Sequence, residues 1–273
     1  MPYITTSDGT ELYYTEQGEG RPIVLSHGWP LCSDAWQVEL KVFADAGYRV
    51  IAHDRRGHGR SSKTYKGNDM ATYAKDLAQL VDSLDLRDIV VIGHSTGGGE
   101  AVKYAATYGK DRVAKVVTAG AVPPIMVKSD SNPEGTPIEA FDDIRRNVLK
   151  DRSQFWKDLS EPFFGANREG SNVSQGAKDD FWRQGMLVNL AAAYDCVKAF
   201  SETDQTADLE AIEVPILIAH GDDDQIVPIV AAADKSIKLV QRGTLKVYSG
   251  APHGIYGAYQ DALDKDILEF IEE

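Results

Sequence analysis

The sequence predicts an α/β fold, with a mostly parallel, twisted sheet flanked by helices on both faces. Two observations predict it. Short apolar runs rich in β-branched residues, each bounded by Gly, Pro or Asp, alternate with amphipathic segments of helical period. The alternation breaks once, between residues 125 and 213, where a long polar stretch has the pattern of helices. The runs that indicate buried strands are Ile23–Leu25, Tyr48–Ala52, Ile89–Ile92, Val113–Thr118 and Ile216–Ala219, and a further strand is expected at Leu245–Tyr248.

Two of the helical segments are marked by the spacing of their apolar residues. In the first, apolar residues recur every three or four positions, and Asn68 and Asp69 precede them as candidate N-caps. The last segment of the chain has the same spacing, and both stripes are expected to pack against the sheet. The apolar positions are Met70, Tyr73, Ala74, Leu77, Val81 and Leu84 in the first segment and Tyr259, Leu263, Ile267, Phe270 and Ile271 in the last.

The break in the alternation predicts how the chain is divided. Residues 1–124 and 214–273 are expected to form the two parts of the sheet core, and residues 125–213 a helical cap inserted between two strands. Crevices in open α/β sheets lie at the carboxyl ends of the strands, so a cap there would cover a site. The alternative is a helical layer that packs elsewhere on the core.

Composition and charge exclude several classes of function. The chain has 273 residues, of which 42 are acidic and 29 basic, for a net charge of −13. Such a surface repels phosphate backbones and anionic lipid, so binding to nucleic acid or membranes is not expected. The sequence suggests neither a membrane span nor a secretory signal peptide. The two cysteines, Cys32 and Cys196, are too far apart for a disulfide framework or a metal cluster. We expect a cytoplasmic protein.

The clearest local signal for chemistry is the segment Ile92–Gly99, which reads I-G-H-S-T-G-G-G between a buried strand and a helical segment. Gly-x-Ser-x-Gly at such a turn is the pattern of a nucleophile elbow. The turn is strained, so small residues are needed two positions either side of Ser95. The helix that follows supplies N–H groups and positive potential for an oxyanion. We predict that Ser95 is a nucleophile; the alternative is an ordinary tight turn.

A serine nucleophile needs a base, and the base needs an acid that orients it. Candidates for both follow later strands. Three consecutive aspartates, Asp222–Asp224, come after the strand predicted to end at Ala219, and His253 comes after the next one. We predict His253 as the base. The acid stays open among the three aspartates, which could also form a solvated turn or a weak cation site, although no second ligand cluster supports a metal.

The loop Ser26–Pro30 follows the first predicted strand and offers the remaining part of a hydrolytic site. A His-Gly turn there would direct the next backbone N–H at the serine. The N–H groups of Trp29 and Thr96 are therefore the expected oxyanion donors, each worth roughly 3–4 kcal/mol of the barrier. Asp54 and a neighbouring arginine are interpreted as a structural ion pair or turn network. The other histidines, also interpreted as structural, are His27, His53, His58, His94 and His220.

Together these segments resemble the α/β-hydrolase superfamily. More closely, they are similar to its cofactor-free (non-heme) haloperoxidase and aryl-esterase branch, whose bacterial members include chloroperoxidases, perhydrolases and some lactamases. The resemblance runs almost end to end, and its Asp-Arg-Arg-Gly and Asp-Gln-Ile-Val-Pro strings are more specific than the elbow. The segments that carry it are Asp8–Thr10, Ser26–Pro30, Asp54–Gly57 with Gly59 and Ser61, Gly93–Gly99, His220–Pro228 and Ala251–Gly254.

The resemblance implies residue roles and a reaction. It implies that Asp224, which precedes Gln-Ile-Val-Pro, is the acid beside Ser95 as nucleophile and His253 as base. The reaction is acyl transfer, in which a small carboxylic ester forms an acyl-enzyme. Water then hydrolyses it, or hydrogen peroxide converts it to a peroxy acid, which oxidises bromide or chloride. No cofactor, heme or metal is expected.

The resemblance also implies the pocket and the partners. Trp29, Val122, Met126, Phe163 and Ile226 match pocket-lining regions of the branch, and a small apolar acyl pocket is expected. The partners implied are an ester or carboxylic acid with water or peroxide. Members of the branch often form trimers or larger homo-oligomers, so an oligomer is also expected.

Three positions bear on specificity. Thr96 replaces a frequent methionine of the branch, and His94 a frequent phenylalanine. The oxyanion donor is a backbone N–H, so these departures concern the shape of the pocket and not the triad. Pro30 fixes its own φ and restricts Trp29 before it, which could turn the Trp29 carbonyl inward to accept from peroxide. Relatives competent in perhydrolysis often carry proline here; the alternative is that Pro30 only shapes the loop.

Two other functions stay open at this point. The same triad could act on a lactam, an amide or a C–C bond. A hydrolase fold could also serve as a non-catalytic receptor or scaffold, although that reading predicts a broken triad or a missing oxyanion loop. Serine at the elbow argues against the aspartate nucleophile of epoxide hydrolases and haloalkane dehalogenases.

Overall fold

The computed structural model describes residues 2–255 and 259–273, and within them the chain forms one eight-stranded sheet. The strands are β1 Tyr3–Thr5, β2 Glu11–Gln17, β3 Arg21–Ser26, β4 Tyr48–His53, β5 Ile89–His94, β6 Val113–Ala119, β7 Ile216–Gly221 and β8 Gly243–Tyr248. Their order across the sheet is β1-β2-β4-β3-β5-β6-β7-β8. The β1–β2 and β2–β4 pairs are antiparallel, and β3 to β8 run parallel. The six predicted strands are confirmed as β3 to β8.

Helices cover both faces of the sheet because its central strands are apolar on both faces. The α-helices of the described residues are α1 Gln37–Asp45, α2 Met70–Ser83, α3 Thr96–Tyr108, α4 Ile138–Phe163, α5 Gln175–Leu187, α6 Leu190–Ser201, α7 Thr206–Ala211, α8 Ala233–Leu239 and α9 Gln260–Glu272. Val91 packs with Leu77 of α2 and Val102 of α3. Its neighbour Ile92 points to the other face, where Phe43 of α1 and residues of α9 lie. The predicted fold class is confirmed.

The first amphipathic segment shows which of two candidate caps begins a helix. Asp69 has an extended backbone, and its carboxylate accepts the N–H of Thr72 at 2.9 Å. Asn68 instead donates to Asp195 at 3.3 Å and accepts from Thr64 at 3.0 Å. Asp69 therefore caps α2, and the predicted apolar stripe is buried except for Leu84, which follows the helix and is half-buried.

Within the fully described stretch between β6 and β7, the chain forms helices α4 to α7, with a kink in α4 at Asp151. We call these helices and the loops between them the helical insertion. The first of them begins at Ile138, later than the helical pattern suggested. Pro133, Gly135 and Pro137 precede it, and prolines remove the N–H donors that a helix needs. The division into residues 1–124, 125–213 and 214–273 stays a prediction.

The helical insertion packs on the carboxyl ends of the strands. Trp29 follows β3 and Val122 follows β6, and both belong to an apolar cluster with Phe141, Trp156 and Phe200 of the insertion. The insertion thus lies at the edge of the sheet where crevices form. No helix in the described ranges has the length and apolar character needed to cross a membrane.

A buried carboxyl between α1 and α9 predicts a pH dependence of stability. Glu39 is 1% exposed and accepts from Gln260 Nε2 at 3.2 Å. Burial, with the nearby Asp264 adding to it, raises the pKa of Glu39 from 4.5 to about 8. Burial likewise raises the pKa of Asp264 to about 6. Between pH 4.5 and about 8, Glu39 therefore keeps its proton in the folded state and has lost it in the unfolded state. Its contribution to the free energy of unfolding is complete below pH 4.5 and falls as the pH rises toward about 8.

We expect Glu39→Gln to remove most of this pH dependence. Wild type should lose on the order of 1 kcal/mol of unfolding free energy per pH unit between about pH 5 and 8. The variant should lose less, because a neutral amide needs no proton. Thermal midpoints measured across this range check the expectation, with the exposed Glu19→Gln as control. Parallel curves for wild type and Glu39→Gln would contradict it.

Candidate active site

Ser95 lies in a strained turn between β5 and α3. Its backbone has φ 55° and ψ −120°, in the positive-φ region that side chains rarely adopt. Surrounding hydrogen bonds hold it there: Ser95 N–H donates to the Ala119 carbonyl at 3.0 Å, and Gly98 N–H donates to the Ser95 carbonyl at 2.9 Å. Strain of this kind costs about 1–3 kcal/mol and is kept where function needs it.

Two glycines let the chain close around this turn. A Cβ on Gly93 would lie 2.1 Å from the Gly97 carbonyl oxygen, and one on Gly97 would lie 2.1 Å from the Ser26 carbonyl oxygen. Both contacts are with backbone, which cannot swing away as a flexible side chain would. The small residues two positions either side of Ser95 are thus required by close packing.

Gly97→Ala is expected to disturb the elbow strongly. The new methyl would push α3 away from β3, so we expect a loss of thermal stability together with a loss of esterase activity. The matched control is Gly176→Ala in α5, where the nearest neighbour of a Cβ, Ser174 Oγ, lies at 3.7 Å. A Gly97→Ala variant as stable and active as this control would refute the packing argument.

Asp224 and His253 form a buried pair in loops after β7 and β8. His253 Nδ1 lies 2.7 Å from Asp224 Oδ2, and the two side chains are 1% and 0% exposed. The other oxygen of Asp224 accepts the backbone N–H groups of Ile226 at 2.8 Å and Val227 at 2.7 Å. A carboxylate accepts, so Nδ1 carries the proton of the neutral ring and Nε2 is the nitrogen that can accept one.

The other two aspartates of the run are used differently. Asp223 pairs with Arg168 of the helical insertion, with Arg168 Nε 2.7 Å from the carboxylate. Asp222 accepts the N–H of Gly250 at 2.6 Å, which ties its loop to the loop that precedes His253. Of the three candidates that the residues left open, Asp224 is the one in contact with the histidine.

His220 is a contact of Asp224 that sequence reasoning missed. Its Nε2 donates to the Val227 carbonyl at 2.8 Å and lies 3.4 Å from Asp224 Oδ2. Burial acts to raise the pKa of Asp224, but the adjacent His253 and His220 outweigh it and hold that pKa below its ordinary value. His220 is buried, as expected of a core residue. Its position at the strand end, four residues before Asp224, was the available signal.

A cavity of about 210 Å³ opens between the elbow and the helical insertion. Ser95, Thr96 and His253 all line it. The five residues predicted for the pocket also line it: Trp29, Val122, Met126, Phe163 and Ile226. Sequence reasoning missed the other lining residues, because which side chains face the cavity is decided by how the insertion packs on the strand-end loops. From the insertion and the segment before it come Thr136, Ala140, Phe141, Ile144, Leu159 and Phe200, and from the loop after β7 come Gln225, Val227 and Pro228.

The loop after β3 comes close to the elbow. A Cβ on Gly28 would lie 3.2 Å from Ser95 Cβ, so glycine permits the approach. His27 fixes the loop: its Nε2 accepts the N–H of Arg55 at 3.0 Å, so its Nδ1 carries the proton and donates to the Gly28 carbonyl at 2.8 Å. Trp29 is anchored through its indole N–H, which donates to the Ala193 carbonyl at 3.1 Å. The expected oxyanion donors thus lie in segments held close to Ser95.

The buried ion pair of Arg55 and Glu100 holds the loop after β3 in place. Arg55 Nε donates to Glu100 at 2.9 Å, and Arg55 Nη2 donates to the His27 carbonyl at 2.7 Å. Burial acts to raise the pKa of Glu100, but Arg55 and neighbouring donors lower it to about 2. Asp54, which the sequence suggested for an ion pair or a turn network, makes contacts of both kinds: its carboxylate accepts the backbone N–H groups of Ser33 at 2.7 Å and Arg60 at 2.6 Å, and it lies 3.7 Å from Arg60 Nη1. Within the two described ranges, no group of three or more His, Cys, Asp or Glu is arranged for a metal ion.

The chain is similar to known proteins in both sequence and structure. The family model of the α/β hydrolase fold matches residues 21–257. A non-heme haloperoxidase of Rhodococcus erythropolis is 55% identical over 273 residues, and a bifunctional esterase/perhydrolase of Acinetobacter calcoaceticus is 48% identical over 274 residues. The alignments cover 100% of both chains in the first case and 99% of both in the second. The crystal structure of a bromoperoxidase from Bacillus anthracis superposes with a TM-score of 0.94, at 36% identity, over 97% of this chain and 96% of that one.

Proposed function

We infer the function of this chain from its family: it belongs to the α/β-hydrolase family and, within it, to the branch of non-heme haloperoxidases and perhydrolases. It is an enzyme, a hydrolase with perhydrolase and haloperoxidase activity. An ester that reacts with water or peroxide fits this family. We propose that Ser95, His253 and Asp224 carry out the reaction as nucleophile, base and orienting acid.

In the first half of the proposed reaction, Ser95 Oγ attacks the ester carbonyl while His253 Nε2 takes the hydroxyl proton. The tetrahedral oxyanion accepts from the backbone N–H groups of Trp29 and Thr96. Thr96 is the first residue of α3, so its N–H has no partner within that helix. Collapse of the intermediate breaks the bond to the leaving alkoxide, which receives the proton from His253. The product is an alcohol and an acyl-enzyme on Ser95.

In the second half, water or hydrogen peroxide attacks the acyl carbonyl and gives its proton to His253. Ser95 Oγ leaves and takes that proton back. Water yields a carboxylic acid, and peroxide yields a peroxy acid. The peroxy acid then transfers its terminal oxygen to bromide, giving a carboxylate and hypobromous acid, so the halide is oxidised and the peroxy bond is reduced.

The observation that most supports this proposal is the buried 2.7 Å contact between His253 Nδ1 and Asp224, beside the cavity that Ser95 also lines. This contact keeps the proton of the neutral ring on Nδ1, which donates to Asp224, so Nε2 is free to accept a proton. The apolar lining and the volume of about 210 Å³ support a small acyl group as substrate.

The proposal is tested by two assays on the wild-type enzyme without added metal. We expect hydrolysis of p-nitrophenyl acetate, and bromination of a dye that requires both peroxide and acetate. Hydrolysis without bromination would mean that the enzyme is an esterase without perhydrolase activity. Absence of turnover on any ester would direct attention to lactam, amide or C–C substrates, or to a non-catalytic role.

Pro30→Ala tests how peroxide is favoured over water. If Pro30 turns the Trp29 carbonyl toward the second nucleophile, its removal should lower the ratio of perhydrolysis to hydrolysis by about five- to thirtyfold, equivalent to one hydrogen bond of about 1–2 kcal/mol. Competition between water and peroxide for the same acyl-enzyme measures this ratio. The exposed Pro133→Ala should leave it unchanged. An unchanged ratio in Pro30→Ala would mean that Pro30 only shapes the loop.

The assembly state and the compartment remain proposals from the sequence. A homo-oligomer, trimeric or larger, and a cytoplasmic location are supported by the resemblance and by composition alone. Light scattering coupled to size-exclusion chromatography tests the first.

A further inference from the structure

We propose that His94 is a positioning residue for His253, holding the loop of the catalytic base through a hydrogen bond from the nucleophile elbow. The inference rests on the function proposed above, in which His253 is the base. It adds a residue that the triad and the oxyanion loop do not include.

The contact joins residues that lie next to the two reacting groups. His94 is the last residue of β5, directly before Ser95, and it is 1% exposed. Its Nε2 lies 3.0 Å from the carbonyl oxygen of His253. A carbonyl only accepts, so Nε2 carries the proton. Burial, together with the neighbouring His253, lowers the pKa of His94 to about 3, so the ring stays neutral and keeps this one donor orientation at neutral pH.

The peptide unit after His253 is held from two directions. On one side its carbonyl accepts from His94, and also from the N–H of Ile255 at 2.8 Å. On the other side the N–H of Gly254 donates to the carbonyl of Phe163, in the helical insertion, at 2.8 Å. The backbone that carries the base is thereby tied both to the elbow and to the insertion.

The ring of His94 fills the space among three parts of the site. Its centroid lies 4.8 Å from that of His253 and 5.8 Å from that of Phe163. Its Nδ1 lies 2.8 Å from the place where a Cβ on Gly28 would be. His94 therefore has little freedom to move, and its hydrogen bond transmits the position of the elbow to the base.

This arrangement predicts an effect on turnover more than on binding. His253 must meet Ser95 Oγ in the transition state, and small displacements of a base reduce the rate steeply. Loss of one buried hydrogen bond that fixes the base corresponds to a roughly three- to tenfold lower kcat. KM should change little, because His94 is not among the residues that line the cavity.

Three variants separate the hydrogen bond from the packing. His94→Gln can place an amide N–H near the position of Nε2, whereas His94→Met has a similar length without a donor. His94→Phe keeps a ring without a donor. We expect Gln to retain most of the wild-type kcat and both Met and Phe to lose about three- to tenfold, with similar thermal midpoints. Comparing Gln with Met keeps the test valid if the phenylalanine variant does not fold.

A second readout does not depend on turnover. The Nδ1 proton of His253, shared with Asp224, should give a low-field proton NMR resonance. We expect it to persist in His94→Gln and to broaden or shift in His94→Met, because the base loop is less firmly held. This readout stands even if Ser95→Ala retains activity, so failure of the proposed function and failure of the His94 inference can be told apart.

The inference is overturned by either of two results. If the Met and Phe variants keep wild-type kcat and the low-field resonance, His94 does not position the base. If the Gln variant is as impaired as the Met variant, with an equally altered resonance, His94 acts through packing and not through its N–H.

Discussion

Ser95→Ala is expected to lower kcat/KM for p-nitrophenyl acetate by roughly 10⁴- to 10⁶-fold and to abolish peroxide-dependent bromination in parallel. Both reactions are proposed to pass through one acyl-enzyme, and alanine has no oxygen on which to form it. The backbone of residue 95 has a positive φ that alanine tolerates no worse than serine, so the variant should fold. Equal losses in the two assays would mean that one nucleophile serves both activities.

The control for this variant is Ser171→Ala, which removes a hydroxyl from an exposed loop. It should behave as wild type in both assays. Stoichiometric labelling by a phosphonate ester gives an independent measurement, since only an enzyme with an activated Ser95 should be modified. If Ser95→Ala lost hydrolysis yet kept bromination, the halide would be oxidised by a route that does not use the acyl-enzyme.

The second large effect is expected for Asp224→Asn, with a loss of roughly 10⁴-fold in kcat. The asparagine oxygen can still accept the backbone N–H groups of Ile226 and Val227, so the loop should keep its shape. Its amide nitrogen would then face His253 Nδ1 and donate to it. The ring proton would be forced onto Nε2, where it blocks transfer from Ser95. The base fails through the wrong tautomer while the geometry is preserved.

Asp223→Asn is the matched control, because it changes the neighbouring carboxylate, which pairs with the half-exposed Arg168. An exposed pair of this kind contributes little, so we expect near wild-type kcat. Circular dichroism and the thermal midpoint show whether each variant is folded. Comparable losses in the two variants would contradict the assignment of the acid to Asp224 and would make the whole loop responsible.

The sheet and the elbow were predictable because their signals are local. A run such as Ile89–Ile92 is short, β-branched and apolar on consecutive positions between Asp88 and Gly93, which favours a strand buried on both faces. The glycines around Ser95 follow from crowding within the turn itself. The residues alone predicted His253 as the base, because it follows a strand end and comes after the serine and the aspartates, which is the chain order of α/β-hydrolases.

Other features depended on residues far apart in the chain. The choice among Asp222, Asp223 and Asp224 followed from the resemblance and not from the pattern, since three adjacent carboxylates are alike until one is placed against a histidine. The helical pattern was expected to begin near residue 125, whereas α4 begins at Ile138. The stretch before Ile138 is polar, as helices of an insertion often are, but its prolines and its glycine prevent a helix there.

The sequence by itself determined the alternation of the six parallel strands with helices and the glycine-flanked turn at Ser95, because these signals lie in neighbouring residues, and it also predicted His253 as the base. Only the tertiary structure decided which helix faces line the cavity, that His220 supports Asp224, and that His94 contacts His253 across 159 positions. The physical reason is that hydrogen bonds and packing act over a few ångströms, and which distant side chains come within that range is settled only when the helical insertion and the strand-end loops pack together.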